Sequence, residues 1–277
     1  MNLDWSVVWN HRSELLHGAM LTVLLTVLTM AVAVPAGIVL ALTRPPTPLR
    51  APPPAGHPMT LDWSVVWIHR SDLLHGALLT VLLTVLTMAV AVPAGIALAL
   101  MRLSTSKPLA LASQCFVEFF RNLPLILVVY WAFYVMPVFL HIEFSAFTTG
   151  LVALCLNVSA YNAETFRAGI NSIRKGQTEA AIAVGMSRWQ AMRQIVIPQA
   201  WRRVLPVLAS TWVSLFKDTS LVSVIAVGEL AHVALQIRSS TFRVLEMLTA
   251  MAVIYWLMGY PQAKLVDWVQ KKFEVKE

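Results

Sequence analysis

The sequence predicts an all-α integral membrane protein: five apolar spans, preceded by an extra, duplicated copy of the first hydrophobic helix. Three observations carry this expectation. Of the 277 residues, 58% are hydrophobic and only 13% charged, about half the charge of a soluble domain. Asp, Glu, Lys and Arg are absent from 15–43, 73–101, 122–142, 144–163, 204–216 and 247–263, and about 20 mainly apolar residues cross the hydrocarbon core. Leu78–Leu100 is apolar all round, where a soluble surface helix would keep a polar face.

The N-terminus repeats itself. Residues 1–44 return as 59–102 at an offset of 58, with 38 of 44 positions identical. Between them, Pro makes up half of residues 45–58. Such a linker favours polyproline II, which has no internal hydrogen bonds; extended, it reaches about 43 Å. It cannot recross lipid, because its carbonyls and remaining amides would go unpaired there. Both copies therefore cannot cross in the same direction. The first runs inverted, lies outside the bilayer, or is not part of the working protein. The near-identity suggests a recent partial duplication or a start site placed too far upstream. Met59 is the expected start of the functional unit, 59–277.

From Met59 the spans follow in order. The first, about 76–101, has an amphipathic lead from Asp62 whose Trp63 and Trp67 suit the membrane interface. A basic turn through Arg102 and Lys107 precedes a second span, about 109–136, started at Ser106 and Pro108 and kinked at Pro124. Glu118 and Arg121 share a face there. The third, about 146–168, ends in Tyr161, Glu164 and Arg167. A polar stretch, 169–202, leads to a fourth span from about 203 to the mid-220s, with Lys217-Asp218 well inside. Residues 227–243 read as a short surface helix or a broken loop, and a fifth span, about 244–265, enters a basic tail. Basic residues in 102–107, 169–203 and the C-terminus place those segments in the cytoplasm; Arg70, Arg238 and Arg243 are the minority outside.

The net charge of +7 does not point to nucleic acid, since the basic residues lie between spans rather than in one contiguous patch. Cys115 and Cys155, in or beside apolar runs, read as buried inert thiols. The seven His residues show no metal spacing.

The polar stretch carries the most information. Thr178–Val184 favours helix, Gly185 suits a left-handed stop, and Ser187 with Gln190 forms a capping box for a second helix, which Pro198 closes or bends. Glu179 reads as a first-turn acid favoured by the helix dipole. Ala181, Val184, Met186 and Trp189 offer an apolar knob. A compact two-helix element of this kind, at about 171–202, looks like a docking surface for a soluble partner.

The spacing Glu179-Ala180-Ala181, Gly185, Ile195, Ile197-Pro198 resembles the EAA loop of permease subunits of ABC importers, with Ile197 where Leu is usual. Val117–Leu125, Ala163–Ile170 and Ser214–Val222 resemble the polar amino-acid branch (His/Glu/Gln/Arg) of that family, nearest the glutamate/aspartate permeases. The likeness spans 59–277; residues 1–58 have no counterpart in it. It implies a five-helix type I ABC importer (MetI-like) core in a bacterial inner membrane. It also implies the partners: a second permease subunit, same or homologous, two cytoplasmic ABC ATPases gripping the EAA loops, and an extracytoplasmic amino-acid-binding protein. The chain has no Gly-x-x-x-x-Gly-Lys-Ser/Thr phosphate loop, so ATP and Mg belong to the partner ATPase and no cofactor to this chain.

Outside the loop, ionisable groups at membrane depth line a wet pathway or pair within the bundle. Lys217 and Asp218 therefore line a pathway or gate, neutralise each other, snorkel, or join a network with Glu164 or Arg167. Asn157 and Tyr161 are candidate substrate contacts. An ion-coupled secondary transporter of small polar solutes is the competing reading, though it would need no such loop. A membrane enzyme would need a catalytic set such as His-Glu-x-x-His, which is missing from the sequence.

Overall fold

The computed structural model describes residues 61–141 and 144–273. The expectations for 1–44, for 45–58 and for a start at Met59 lie outside the described residues. Among the described residues all regular structure is helical.

Helix α1, Ser64–Ile68, is the amphipathic lead: Val65 is buried while Trp63 and Trp67 are exposed. The main-chain N–H of Asp62 donates to Glu246 Oε1 at 3.0 Å, which ties this lead to a distant helix. Helix α2, Arg70–Arg102, spans about 50 Å at 1.5 Å per residue. Its buried threonines need no outside partner where they bond back one turn: Thr80 Oγ1 donates to Gly76 O at 3.1 Å and Thr84 Oγ1 to Thr80 O at 2.8 Å. Two glycines let other backbones approach. A Cβ at Gly76 would stand 3.0 Å from Leu230 Cα, and one at Gly95 would stand 2.6 Å from Asn162 Cβ.

Helix α3, Lys107–Asn122, is fastened to α2 by Ser113 Oγ donating to Leu98 O at 2.7 Å. The expected kink at Pro124 is instead a full corner: the chain turns by 107° between Lys107–Asn122 and Leu125–Phe139. Proline pushes the residue before it out of the helical region, and Leu123 sits extended at φ −92°, ψ 135°. Helix α4, Leu125–Tyr130, then runs through a π turn, Trp131–Val135, into α5, Met136–Leu140.

Helix α6, Ala146–Asn171, starts on Ser145, whose Oγ accepts from the Thr148 N–H at 3.1 Å. It packs against α2 and α3 and carries the polar residues of the third expected span. Helices α7, Lys175–Ala183, and α8, Arg188–Ala191, form the polar stretch. A π turn, Met192–Val196, leads into α9, Ile197–Asp218, which lies against α6. Lys217 and Asp218 are the last two residues of α9, and the helical run continues beyond them to Ile225 before it bends toward Leu230–Thr241. Thr219 and Ser220 explain the stop: their hydroxyls donate to Phe216 O and Lys217 O at 2.8 and 2.7 Å, tightening the chain into 3₁₀ turns over Thr219–Ile225.

Residues 227–243 resolve as a true helix, α10, Leu230–Thr241, packed on α2 and on α11, Val244–Phe273. Alone, α2 and Val244–Lys272 are long and apolar enough to cross a membrane; the α3–α5 pair and the α9–α10 pair qualify jointly. One buried cluster gathers Leu83, Ala91, Val129, Leu154, Leu215 and Val222 beneath α2, α4, α6 and α9. A second joins Val65, Leu73, Leu230 and Met247.

Candidate functional site

The polar stretch folds as the expected helix, turn and helix. At the end of α7, Gly185 N donates to Ile182 O at 2.9 Å and Met186 N to Ala181 O at 3.1 Å, the crossed pair of bonds of a Schellman ending. That ending needs a left-handed residue, and Gly185 has φ +88°. A Cβ there would meet nothing within 4 Å, so the demand for Gly lies in the backbone and not in crowding. The capping box forms: Ser187 N donates to Gln190 Oε1 at 2.8 Å and Gln190 N to Ser187 Oγ at 3.2 Å.

Three details differ from expectation. Pro198 does not close the second helix; the chain runs from α8 through the π turn into α9, and Pro198 lies in the first turn of α9, where a missing N–H is tolerated. Glu179 is not in the first turn of α7, which begins at Lys175 and has no acid there. Its exposed carboxylate has no hydrogen-bond or ion-pair partner among the described residues. Of the apolar knob, Val184 is 77% exposed, but Ala181 is buried inside the element; the side chain of Trp189 lies outside the described ones. Ala180 and Pro198 are exposed, Ile195 and Ile197 half-buried. Ile173, Val196 and Ala200 bury together at the base of this handle, where Arg203 Nη1 donates to Ser172 O at 2.8 Å.

The other candidates divide between cavities on the two sides of α9. Asp218 opens into a cleft of about 390 Å³ with Asn157, Tyr161, Ser210, Thr211 and Ser214. Lys217 opens into a larger, about 700 Å³ cavity beside Phe216, Tyr255 and Tyr260. Among the described residues no ion pair joins Lys217 to Asp218; the two charges act on each other only through space. The smaller cleft carries more chemistry: it sets two expected residues, Asn157 and Tyr161, beside the acid Asp218. Asn157 is partly committed, its Nδ2 donating to Phe120 O at 3.0 Å.

The network of Glu164 or Arg167 with Lys217-Asp218 does not form. Glu164 is held instead by Arg102 Nη1 at 2.8 Å and Arg167 Nε at 2.9 Å, with a further ion-pair contact from Arg167 Nη2. Arg102 Nη2 also approaches Glu118 at 3.6 Å. Arg121 does not pair with Glu118; its guanidinium lies over the Tyr161 ring, 5.6 Å from the centroid. Tyr161 Oη donates to Arg121 O at 3.3 Å. Cys115, read as buried, is exposed on α3, and Cys155 is half-buried. Among the described residues no group of three or more His, Cys, Asp or Glu could hold a metal ion.

Sequence reading missed Glu229. It is fully buried and caps α10, accepting from Ala231 N at 2.9 Å, His232 N at 2.8 Å and Tyr255 Oη at 2.8 Å. The N–H groups at the start of α10, which would otherwise suit an outside anion, are thus already occupied. The signal was present: Glu229 is the sole charge between Asp218 and Arg238, and a lone acid in an apolar run needs buried donors.

A family model described as binding-protein-dependent transport system inner membrane component matches residues 91–275. The glutamate/aspartate import permease protein GltK of Escherichia coli O157:H7 is 33% identical over 218 residues, covering 76% of this chain and 97% of GltK. The glutamine transport system permease protein GlnP of Escherichia coli K12 is 34% identical over 218 residues, covering 78% of this chain and all of GlnP. A solved amino acid ABC transporter chain, crystallised with histidines, is 34% identical, superposes with a TM-score of 0.72 and covers 77% of this chain. A subunit of the MetNI methionine ABC transporter, 17% identical with a TM-score of 0.55, shares the type I importer fold. With the family model covering most of the chain and the folds superposing, this chain belongs to the family of binding-protein-dependent transport system inner membrane components.

Proposed function

We propose that this chain is a permease subunit of an ATP-driven amino-acid importer, with the handle at about 171–202 as its coupling element and the Asp218 cleft as its substrate-lining surface. The observation that carries the coupling role is the handle itself: a turn at Gly185 presenting Glu179 and Val184 outward, with no partner among the described residues. Glu179, Ala180, Gly185 and Pro198 face the ATPase. Ala181, Ile195 and Ile197 hold the handle's shape from inside or at its edge. Both legs of the handle run directly into α6 and α9, the helices that wall the cleft. Closure of two cytoplasmic ATPases would therefore move those walls and shift the population between outward- and inward-open states.

The relatives named for glutamate/aspartate and glutamine support a polar or acidic amino acid as cargo. The cleft suits one: its single acid, Asp218, matches an ammonium group, and Asn157, Ser210, Thr211 and Ser214 offer hydrogen bonds. A second permease subunit and an extracytoplasmic binding protein complete the assembly, in a bacterial inner membrane, and ATP and Mg bind to the ATPase. An ion-coupled secondary transporter accounts for neither the handle nor these relatives.

Gly185→Asp tests the assignment in proteoliposomes holding the complete complex. The variant is expected to insert and assemble, since there is space for the side chain, but to separate ATP hydrolysis from uptake. Unaltered uptake at normal expression would remove the coupling role.

A further inference from the structure

We infer that Tyr161 and Arg121 form an inner gate between the Asp218 cleft and a basic vestibule that receives the substrate's carboxylate on release; the inference rests on the importer reading above. The vestibule is a cavity of about 450 Å³ whose lining includes Arg121, Glu164, Thr165, Ser172 and Arg203. Tyr161 and Val207 line both this cavity and the cleft. The two spaces therefore adjoin, and these side chains stand at their boundary.

Position gives the vestibule a direction. Along α6 the cleft uses Asn157 to Tyr161 and the vestibule Tyr161 to Ser172. Along α9 the vestibule uses Arg203 to Val207 and the cleft Val207 to Asp218. The vestibule thus lies between the cleft and the handle. Gly169 and Val204 pack closely in its wall, where an added Cβ would collide with Val204 Cγ2.

Charge gives it a ligand. Glu164 is already gripped by Arg102 and Arg167. Among the described residues Arg121 and Arg203 form no ion pair; Arg121 acts on Glu164 only through space, so both guanidiniums can still take an anion. The cleft holds the reverse, a single carboxylate at Asp218. A zwitterion has both complements: its ammonium suits the cleft and its carboxylate is drawn on toward the two arginines.

Tyr161 is built to move. It is 44% exposed and is held by a 3.3 Å hydroxyl bond and a cation–π contact at 5.6 Å, each contributing only about 1 kcal/mol. Swinging the ring off Arg121 would open the passage and free the guanidinium for the arriving carboxylate.

The test uses the assembled importer with Cys115 and Cys155 replaced by serine. Ser214→Cys places a thiol in the cleft, and a membrane-impermeant maleimide is added from the handle side. Tyr161→Ala should raise the labelling rate at least about tenfold, equivalent to about 1.4 kcal/mol. Tyr161→Phe keeps the ring over Arg121 and should raise it far less. Arg121→Ala, a second route to the same opening, should raise it like Tyr161→Ala. Labelling unchanged in both alanine variants overturns the gate. In a Thr165→Cys chain, L-glutamine on the handle side should slow labelling, whereas 4-aminobutanamide, which lacks the carboxylate, should not. Equal protection by both, or by neither, overturns the vestibule's role. ATP-dependent uptake of L-glutamine and L-glutamate by the unmutated complex is measured alongside. Its absence means that the importer reading has failed; its presence with unchanged labelling means that only the gate has.

Discussion

The bonds that set the handle's turn join residues no more than five positions apart, from Ala181 to Gln190, whereas the Asp218 cleft draws its walls from 123–125, 157–161 and 207–218. A turn of the first kind keeps its shape wherever the chain carries it, so it can move as a body and transmit force. A cleft of the second kind exists only while the Pro124 corner, α6 and α9 keep their mutual positions, so its shape can change when they shift. On the proposed reading, coupling falls to the stiff and recognition to the deformable part of one molecule. The structure joins them through α6 and α9, which begin or end at the handle and wall the cleft.

Separable failures follow from that contrast. The largest effect is expected from Asp218→Asn, which leaves the cleft's shape but removes its one charge. Losing a charge-assisted contact of roughly 3 kcal/mol lowers uptake about 100-fold, while affinity for the ATPase stays as in the unmutated chain. Gly185→Asp differs in kind: uptake falls there because ATP hydrolysis runs separately from it. Uptake and the ratio of ATP hydrolysed to substrate carried, measured at saturating substrate for both variants, check the pair, and a ratio raised equally in both would mean that handle and cleft are not distinct.

A smaller effect is expected from Gly95→Ala, which probes the deformability itself. The added methyl would stand 2.6 Å from Asn162 Cβ and 3.1 Å from the Ala163 main-chain nitrogen, so α2 and α6 must separate. Overpacking of this kind costs about 1–3 kcal/mol. Because Asn157 and Tyr161 ride on α6, substrate KM should rise several-fold while the ratio of ATP hydrolysed at saturating substrate to ATPase bound stays constant. An unchanged KM would show the cleft to be stiffer than its scattered construction suggests.

The same contrast explains what was legible in advance. Gly185, Ser187 and Gln190 reveal the handle because each acts on its own neighbours, and neighbours are what a sequence displays. The corner at Pro124 was half visible: proline announces a disturbance, but whether the chain kinks or turns through 107° depends on what α4 packs against. Lys217 and Asp218 were flagged as charges in a membrane, yet their separation into two cavities follows from where α9 ends, and Thr219 and Ser220 decide that with two hydroxyl bonds. Arg102 looked like one more basic residue beside a span; only the fold places Glu164 against it. The six differences between 1–44 and 59–102 tell a related story. Those at Ile68, Asp72, Leu78 and Ala97 fall on exposed positions, and every buried residue of α2 is identical in the first copy. The repeat therefore preserves what α2 needs for packing, a fact invisible until burial is known.

The smallest expected effect lies furthest from both regions, at the lead before α2. The side chain and main-chain N–H of Ser64, with a lesser contribution from Arg243, hold the Asp62 carboxyl below its ordinary value of 3.8. Asp62 Oδ1 accepts from Ser64 N at 3.0 Å and Oδ2 lies 3.5 Å from Arg243 Nη2, while Glu246 Oε1 holds the Asp62 main-chain N–H at 3.0 Å. A depressed carboxyl contributes fully above its unfolded value and loses that contribution as pH falls through the folded one. The lead should therefore stay docked from about pH 7 to about pH 5 and loosen only below the ordinary carboxylate range. Trp63 and Trp67, both exposed on this lead, report it by fluorescence once the other tryptophans are replaced by phenylalanine. Asp62→Asn should delete its share of the acid transition and leave only the part that belongs to Glu246. An identical acid curve in the two chains would show that Glu246 alone anchors the lead, and neither curve should move the uptake rate at neutral pH, because α1 touches neither handle nor cleft.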